Sequence, residues 1–384
     1  MTISIWQDQL NKPSEKYDVV VVGGGIMGAG SAYWLSKRGL KACIVESQHV
    51  ASGASGRNAG FLLRGIHTYY NETAKRYGRD NASMLFRFTE ENIHLIAEFA
   101  KQTSQNFDYE PSGSYLLACS LEELHDLDES HQLMSEDGFA VEYLKEDPLD
   151  RDYYGALHNA CDAGVNPAKL VGALLSESGA QLYDGEAVTS IRKENGSLRI
   201  GTANRIIECD KVLLATNAYS QLLEPWFENR VKPIRGQILV TQPLRKRVLE
   251  KVCYANYGWE YFRQLADGRF LLGGCRQLFQ ELEVGYADCV SPPVQASLES
   301  YLKDRFPESA GVPIDYRWSG IMAFTEDGLP LVGELERLPN VYFAVGCNGH
   351  GFSYGLNLSR LLVEAALDGK DVGIFSSKRF QVAI

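Results

Sequence analysis

From position 17 to 22 the chain is apolar at almost every residue, and beyond three glycines the apolar positions recur with helical spacing from Ile26 to Lys37. A short unbroken apolar run bounded by glycine predicts a strand buried on both faces; the longer period after it predicts a helix. Gly39 supplies a left-handed turn to end that helix, and 41–46 reads as a second buried strand. Farther on, Leu85, Phe88, Leu95 and Phe99 carry a helical period across 81–101, and a short strand is predicted at 115–118. Ser120 with Glu123 reads as a capping box, and Asn166-Pro167 opens a helix that ends near Gly179.

The rhythm changes after about Trp226. Residues 236–244 alternate like a half-buried strand, and 260–274 read as two strands around an Asp267-Gly268 turn, so an antiparallel sheet is predicted here. Strands return at 316–324 and 341–345, followed by a last helix over 355–367. Helix-and-strand alternation therefore brackets the antiparallel part. The expected division is one discontinuous domain of 15–95, 155–225 and 320–384, and a second of 96–154 and 226–319.

Bulk composition adds limits. Of 384 residues, 45% are hydrophobic and 23% charged, the balance of an ordinary globular protein large enough for two cores. A net charge of −11 argues against nucleic acid or an anionic membrane surface as partner. No apolar run approaches the roughly 18 residues of a membrane span. The opening MTISIWQDQLNKPSEK lacks a basic head and an apolar middle, so no secretory signal is expected. Eight cysteines are scattered without a CxxC pair, which predicts free, mostly buried thiols, no metal site and a cytoplasmic location.

The chemistry begins at Gly23-x-Gly25-x-x-Gly28. Gly23 makes the tight turn, Gly25 lets the backbone approach a pyrophosphate, and Gly28 lets strand and helix pack closely. Glu46 closes the second strand about twenty residues on, where a carboxylate accepts from ribose hydroxyls. Dinucleotide binding follows. Two further segments favour FAD over NAD: the small, glycine-rich loop at 47–63, and a second strand–glycine–helix design at 341–369. A long cofactor lying extended between two glycine clusters accounts for both.

With VVVVGGGIMGAG, SGASGRNAGF, DKVLLATNAYS, PIRGQILV, RWSGIMAFTEDGLPLVGE and GCNGHGFSYG in this order, the chain resembles the D-amino-acid oxidase-like flavoproteins over residues 15–375. That group includes glycine oxidase, sarcosine oxidase and γ-glutamylputrescine oxidoreductase, and SIWQ and SGRNAG lean towards the last. The resemblance implies a mixed α/β fold: a Rossmann-like FAD-binding domain with a second domain built on an antiparallel sheet. It implies non-covalent FAD, with Ile26 and Met27 over the pyrophosphate and Glu46 and Ser47 at the ribose. Ala54, Ser55, Arg57, Asn58, Ala59, Gly60 and Phe61 would line the path to the flavin ring. Val188 would pair with adenine, and Ala215, Thr216 and Asn217 would pass the pyrophosphate. Cys347, Asn348, Gly349, His350, Gly351, Phe352 and Ser353 would lie at the ring's pyrimidine edge. There the positive end of the last helix stabilises negative charge by about 0.3–2 kcal/mol.

On the substrate side the resemblance places Tyr261 in the pocket wall and His350 within reach of the ring. Met322, Gly349 and Ser353 stand where relatives carry cations for a carboxylate. Either another cation substitutes, with Arg57, Arg64, Arg235 and Arg263 as candidates, or the substrate has no carboxylate near its reacting carbon. Leu271 and Gly320 stand where sarcosine oxidase has an oxygen-activating lysine and a flavin-linking cysteine. The expected activity is oxidation of an amine or modified amino acid to an imine by hydride transfer to flavin, with oxygen or another acceptor and possible self-association. The alternatives are a flavin-holding subunit of a larger dehydrogenase complex, or a glycine-type oxidase using a non-family arginine.

Overall fold

The computed structural model describes residues 14–194 and 196–380. The readings of the N-terminal stretch, SIWQ included, lie outside the described residues.

The first strand, Ser14–Val22, is central in a sheet whose path runs Leu331–Glu334, Val341–Val345, Ile206–Leu214, Ser14–Val22, Ala42–Val45, Gln181–Tyr183. Four of the five pairings on this path are parallel, and Leu331–Glu334 runs antiparallel at one edge. The valine run has no alternation because both faces are covered. Val19 and Val21 pack with Leu35, Leu358 and Leu362 on the helical side, whereas Val20 and Val22 pack with Phe227 and Phe343 on the other. Helix Ile26–Lys37 lies between helices Pro167–Ser178 and Gly351–Asp368 on the covered face. Asn166 accepts from Lys169 N–H at 3.2 Å, and Gly179 ends that helix with φ +62°.

The second sheet runs Ile314–Phe324, Lys232–Pro243, Arg269–Gly274, Glu260–Gln264, Val252–Ala255, Ser114–Leu117, Ala156–Asn159, Glu142–Leu144. It is antiparallel throughout except where Val252–Ala255 meets Ser114–Leu117. Gly268, with φ +88°, makes the expected hairpin turn. The sequence boundary at 155 needs correction: Ala156–Asn159 joins the second sheet, held between Ser114–Leu117 and Glu142–Leu144.

Other expectations also shift. Strand Lys232–Pro243 alternates only at its start: helix Pro292–Arg305, which the sequence reading did not predict, covers the face of Gln237 and Leu239, and from Ile238 on the opposite face packs against Ala59, Phe61 and Leu63. The last helix begins at Gly351, one turn earlier than predicted, since its glycine-rich first turn read as loop. The capping box is only half formed: Ser120 accepts from Glu123 N–H at 3.1 Å, but the Glu123 carboxylate accepts from Cys119 N–H at 2.7 Å and Tyr69 O–H at 2.6 Å. All eight cysteines are free, and Cys289 is exposed rather than buried. Among the described residues no helix is long and apolar enough to cross a membrane.

Candidate functional site

The three glycines of the first turn each meet a close neighbour. Gly23 has φ +108°, and a Cβ there would lie 2.8 Å from Ala215 O. A Cβ on Gly25 would lie 2.7 Å from Ser55 Oγ, and one on Gly28 would fall 1.9 Å from Gly23 O. Glycine is therefore required at 28 for strand and helix to touch. Ile26 N–H donates to Ser55 Oγ at 2.9 Å, which ties the turn to the loop at 54–61. Glu46 folds back over the turn, accepting from Gly24 N–H at 2.7 Å and Gln48 N–H at 2.8 Å, and Ser47 Oγ donates to it at 3.2 Å.

Both helices that start at glycine turns lack a side-chain cap and any acid in the first turn. Such starts offer N–H groups and dipole to an anion or to electron-rich ring atoms. The loops around them are fixed from within. Asn58 donates to Ala54 O and Ser55 O at 3.0 and 2.8 Å and accepts from Gly60 N–H at 2.7 Å. Asn348 accepts from Thr325 N–H at 2.9 Å and donates to Gly346 O at 2.6 Å, and Ser353 Oγ accepts from Leu63 N–H at 3.3 Å. Asn217 accepts from Gly346 N–H at 3.2 Å, and Thr216 pairs with Ser220.

One cavity of about 320 Å³ joins these parts. Its wall includes Gly25, Ile26, Met27, Ala54, Ser55, Arg57, Asn58, Ala59, Phe61, Ala215, Asn217 and every residue from Cys347 to Ser353. The two glycine turns, more than 300 positions apart in sequence, face the same space. Gly23, Gly28, Glu46, Ser47, Gly60, Val188 and Thr216 do not line it. An extended, flat, phosphate-bearing group fits this cradle: uncapped helix starts, Cβ-free approaches, and no Asp or Glu among the lining residues.

The far wall is aromatic. Tyr254, Trp259, Tyr261 and Phe324 line it with Met322, whose Sδ would lie 3.5 Å from a Cβ on Gly349. Tyr261 O–H makes no hydrogen bond among the described residues, and burial pushes its pKa up to about 12. His350 faces the cavity beside Tyr254, their rings 5.9 Å apart, and burial pulls its pKa down to about 4. His67, which the sequence reading did not single out, also lines the cavity; its Nδ1 is buried without a partner, and burial lowers its pKa to about 4. Both imidazoles are neutral at pH 7. Burial also pushes the Cys347 thiol up to about 12, so it is no nucleophile.

The candidate arginines are already engaged. Arg57 lines the cavity but pairs with Asp288 and donates to Ser319 O at 3.2 Å. Arg64 is bonded to Glu90, Asn159 and Ala140 O, at 2.9, 2.6 and 2.7 Å. Arg235 is paired with Glu283 at 2.8 Å, away from the cavity. Arg263 must also be corrected: it does not line the cavity, but braces Gly60 O and Val165 O at 3.3 and 3.0 Å and pairs with Glu110 at 2.7 Å. The cavity's remaining arginine is one the sequence reading missed, Arg276. Its position two residues past the Gly273-Gly274 end of a predicted strand was the available signal.

Comparison with known proteins agrees with this geometry. The profile of the FAD dependent oxidoreductase family matches residues 18–365. γ-Glutamylputrescine oxidoreductase of Escherichia coli (strain K12) is 30% identical over 374 residues, spanning 93% of this chain and 85% of that one. Glycine oxidase from Geobacillus kaustophilus superposes with TM-score 0.80 at 24% identity, covering 94% of this chain and 98% of its own. L-proline dehydrogenase from P. horikoshii does so with TM-score 0.79 at 22% identity, covering 96% and 99%. A match over most of the chain, on a fold with the two glycine turns at one cavity, places this protein in the FAD-dependent oxidoreductase family.

Proposed function

We propose that the chain oxidises the C–N bond of an amine or modified amino acid to an imine, with FAD held non-covalently along the cavity. Gly25, Ile26 and Met27 would receive the pyrophosphate, residues 54–61 the path to the ring, and 347–353 the ring's far edge. Gly320, beside Arg57, offers no atom for a covalent link. FAD supplies the hydride acceptor when bound.

The chain's own residues prepare the amine. The observation that carries this reading is the absence of any Asp or Glu from the lining, together with two histidines held neutral. A cavity of that kind disfavours an ammonium ion and favours the uncharged amine, whose lone pair assists loss of hydride from the neighbouring carbon. Neutral His350 and His67 provide nitrogen acceptors for an amine N–H, and the Tyr261 hydroxyl provides an unspent donor. Tyr254, Trp259 and Phe324 exclude water. The relative named for γ-glutamylputrescine supports an amine substrate. Free thiols throughout support a reducing cytoplasm. Oxygen or another carrier would reoxidise the cofactor.

Anaerobic mixing of the yellow holoenzyme with polyamines, N-substituted glycines, D-amino acids and hydroxy acids tests this directly. Amines are expected to bleach the flavin absorbance, faster as pH rises towards the amine's own pKa. Bleaching by hydroxy acids alone would overturn the reading. Bleaching only after addition of a second protein would favour a subunit of a larger complex.

A further inference from the structure

Arg276 differs from every other arginine at the cavity. Among the described residues its side chain has no ion pair and no hydrogen bond. It is held instead between two rings, 4.8 Å from the Trp259 centroid and 5.1 Å from that of Phe324. Ring stacking occupies the faces of a guanidinium and leaves its in-plane N–H groups unspent. The neighbouring acids are engaged elsewhere. Glu283 accepts from Arg235 at 2.8 Å and Gln237 at 2.9 Å, and Glu260 from Gln277 at 2.6 Å and Asn256 at 2.9 Å. Burial with no counter-ion lowers the affinity of Arg276 for its proton, a cost that a bound anion would remove.

The backbone holds this side chain in place. Gly274 has φ +129°, and a Cβ there would fall 2.0 Å from Trp259 O. Cys275, a non-glycine residue at φ +58°, donates its N–H to the same oxygen at 3.2 Å. Left-handed backbone at a side-chain-bearing residue is costly and marks a position fixed by its surroundings. The turn therefore presents Arg276 to the cavity from the rim of the aromatic wall. Phe324 stands between it and the last glycine turn: the ring tip would lie 3.7 Å from a Cβ on Gly349.

We infer that Arg276 is the anion-recognition residue of this cavity, and that the substrate is an amine bearing a carboxylate separated by several bonds from the carbon that is oxidised. This rests on the amine-oxidation reading for the reacting end, but the anion site stands on its own geometry. An α-amino acid places its carboxylate on the reacting carbon, where Met322 and Gly349 offer no charge. A longer molecule reaches past Phe324 to the guanidinium.

The experiment uses holoenzyme with Arg276→Gln and Arg276→Met, the latter keeping an apolar stem between the rings; flavin content verifies that each variant is assembled. Straight-chain ω-amino carboxylates of three to six carbons are compared with n-alkylamines of equal length in anaerobic bleaching. Unreactive carboxylates, propanoate to hexanoate, are titrated against tryptophan fluorescence and flavin absorbance. Each variant is expected to lose at least about tenfold in carboxylate affinity and in preference for the carboxylated amine, the scale of a lost charge-assisted bond. Carboxylates that bind the variants as tightly as the wild type, or both amine series weakened equally, would overturn the inference. If no amine bleaches the wild type while carboxylate binding still depends on Arg276, the amine-oxidation reading fails and the anion site remains.

Discussion

Arg235 lies on strand Lys232–Pro243 and Arg276 just past the end of the neighbouring strand Arg269–Gly274, and the two meet opposite surroundings. Arg235 and Glu283 have side chains 5% and 0% exposed, and their pairing is completed by Gln237 and Ser291. Arg276 is half-buried between rings with nothing to neutralise it. The first arrangement is closed: every charge has been answered within the chain, so it serves the fold. The second is open, and an open charge facing a cavity is a request for a ligand.

The contrast can be pressed hardest at Arg235. Arg235→Met strands a buried carboxylate and is expected to cost about 3–5 kcal/mol in urea unfolding. Pairing it with Glu283→Met should restore most of that loss; a single-variant cost below about 1 kcal/mol would erase the distinction.

Acid is the next lever, since the cavity keeps its histidines uncharged. His67 and His350 bind protons more weakly folded, at about 4, than at their ordinary 6.5. The unfolded chain therefore takes up more protons between those values, and stability falls as pH drops from about 6.5 to 4, by up to roughly 3 kcal/mol per histidine. Asp162, raised to about 6 from 3.8 by burial, works the other way between about 4 and 6. His67→Leu or His350→Leu should flatten the acid slope in denaturation curves, and an unchanged slope would show that these rings already carry charge.

Smaller effects separate paired from unpaired hydroxyls. Tyr69→Phe removes a 2.6 Å bond to buried Glu123 and should cost about 1–2 kcal/mol. Tyr261→Phe removes a hydroxyl with no protein partner and should change unfolding free energy by under about 0.5 kcal/mol. Arg276→Met should be equally mild in stability, despite its effect on anions; a large loss would move Arg276 into the closed class.

What could be read in advance divides along the same line. The valine run, the glycine spacing, the Asn166 cap and the Asp267-Gly268 turn are local, so pattern and turn chemistry reveal them. Charge pairing is not local. Arg235 finds its acid 48 positions away and Arg263 finds its own 153 away, while Arg64 meets Asn159 across 95. Nothing around those arginines in sequence says that their charge is answered, and nothing around Arg276 says that its charge is not. The same blindness hid Glu123, whose spacing suits a local cap but whose carboxylate is drawn to Tyr69.

The two helices that begin at the glycine turns also cross each other. A Cβ on Gly30 would lie 2.5 Å from Ser359 Oγ, and one on Gly355 would lie 2.6 Å from Ile26 Cγ1. Main chain lies close against the opposing helix at that crossing, so the separation of the two turns is a fixed length. The intervening three hundred residues can lengthen or shorten their surface loops without altering it. The molecule carries a built-in ruler, and what can lie along the cavity is gauged by that span before any side chain touches it.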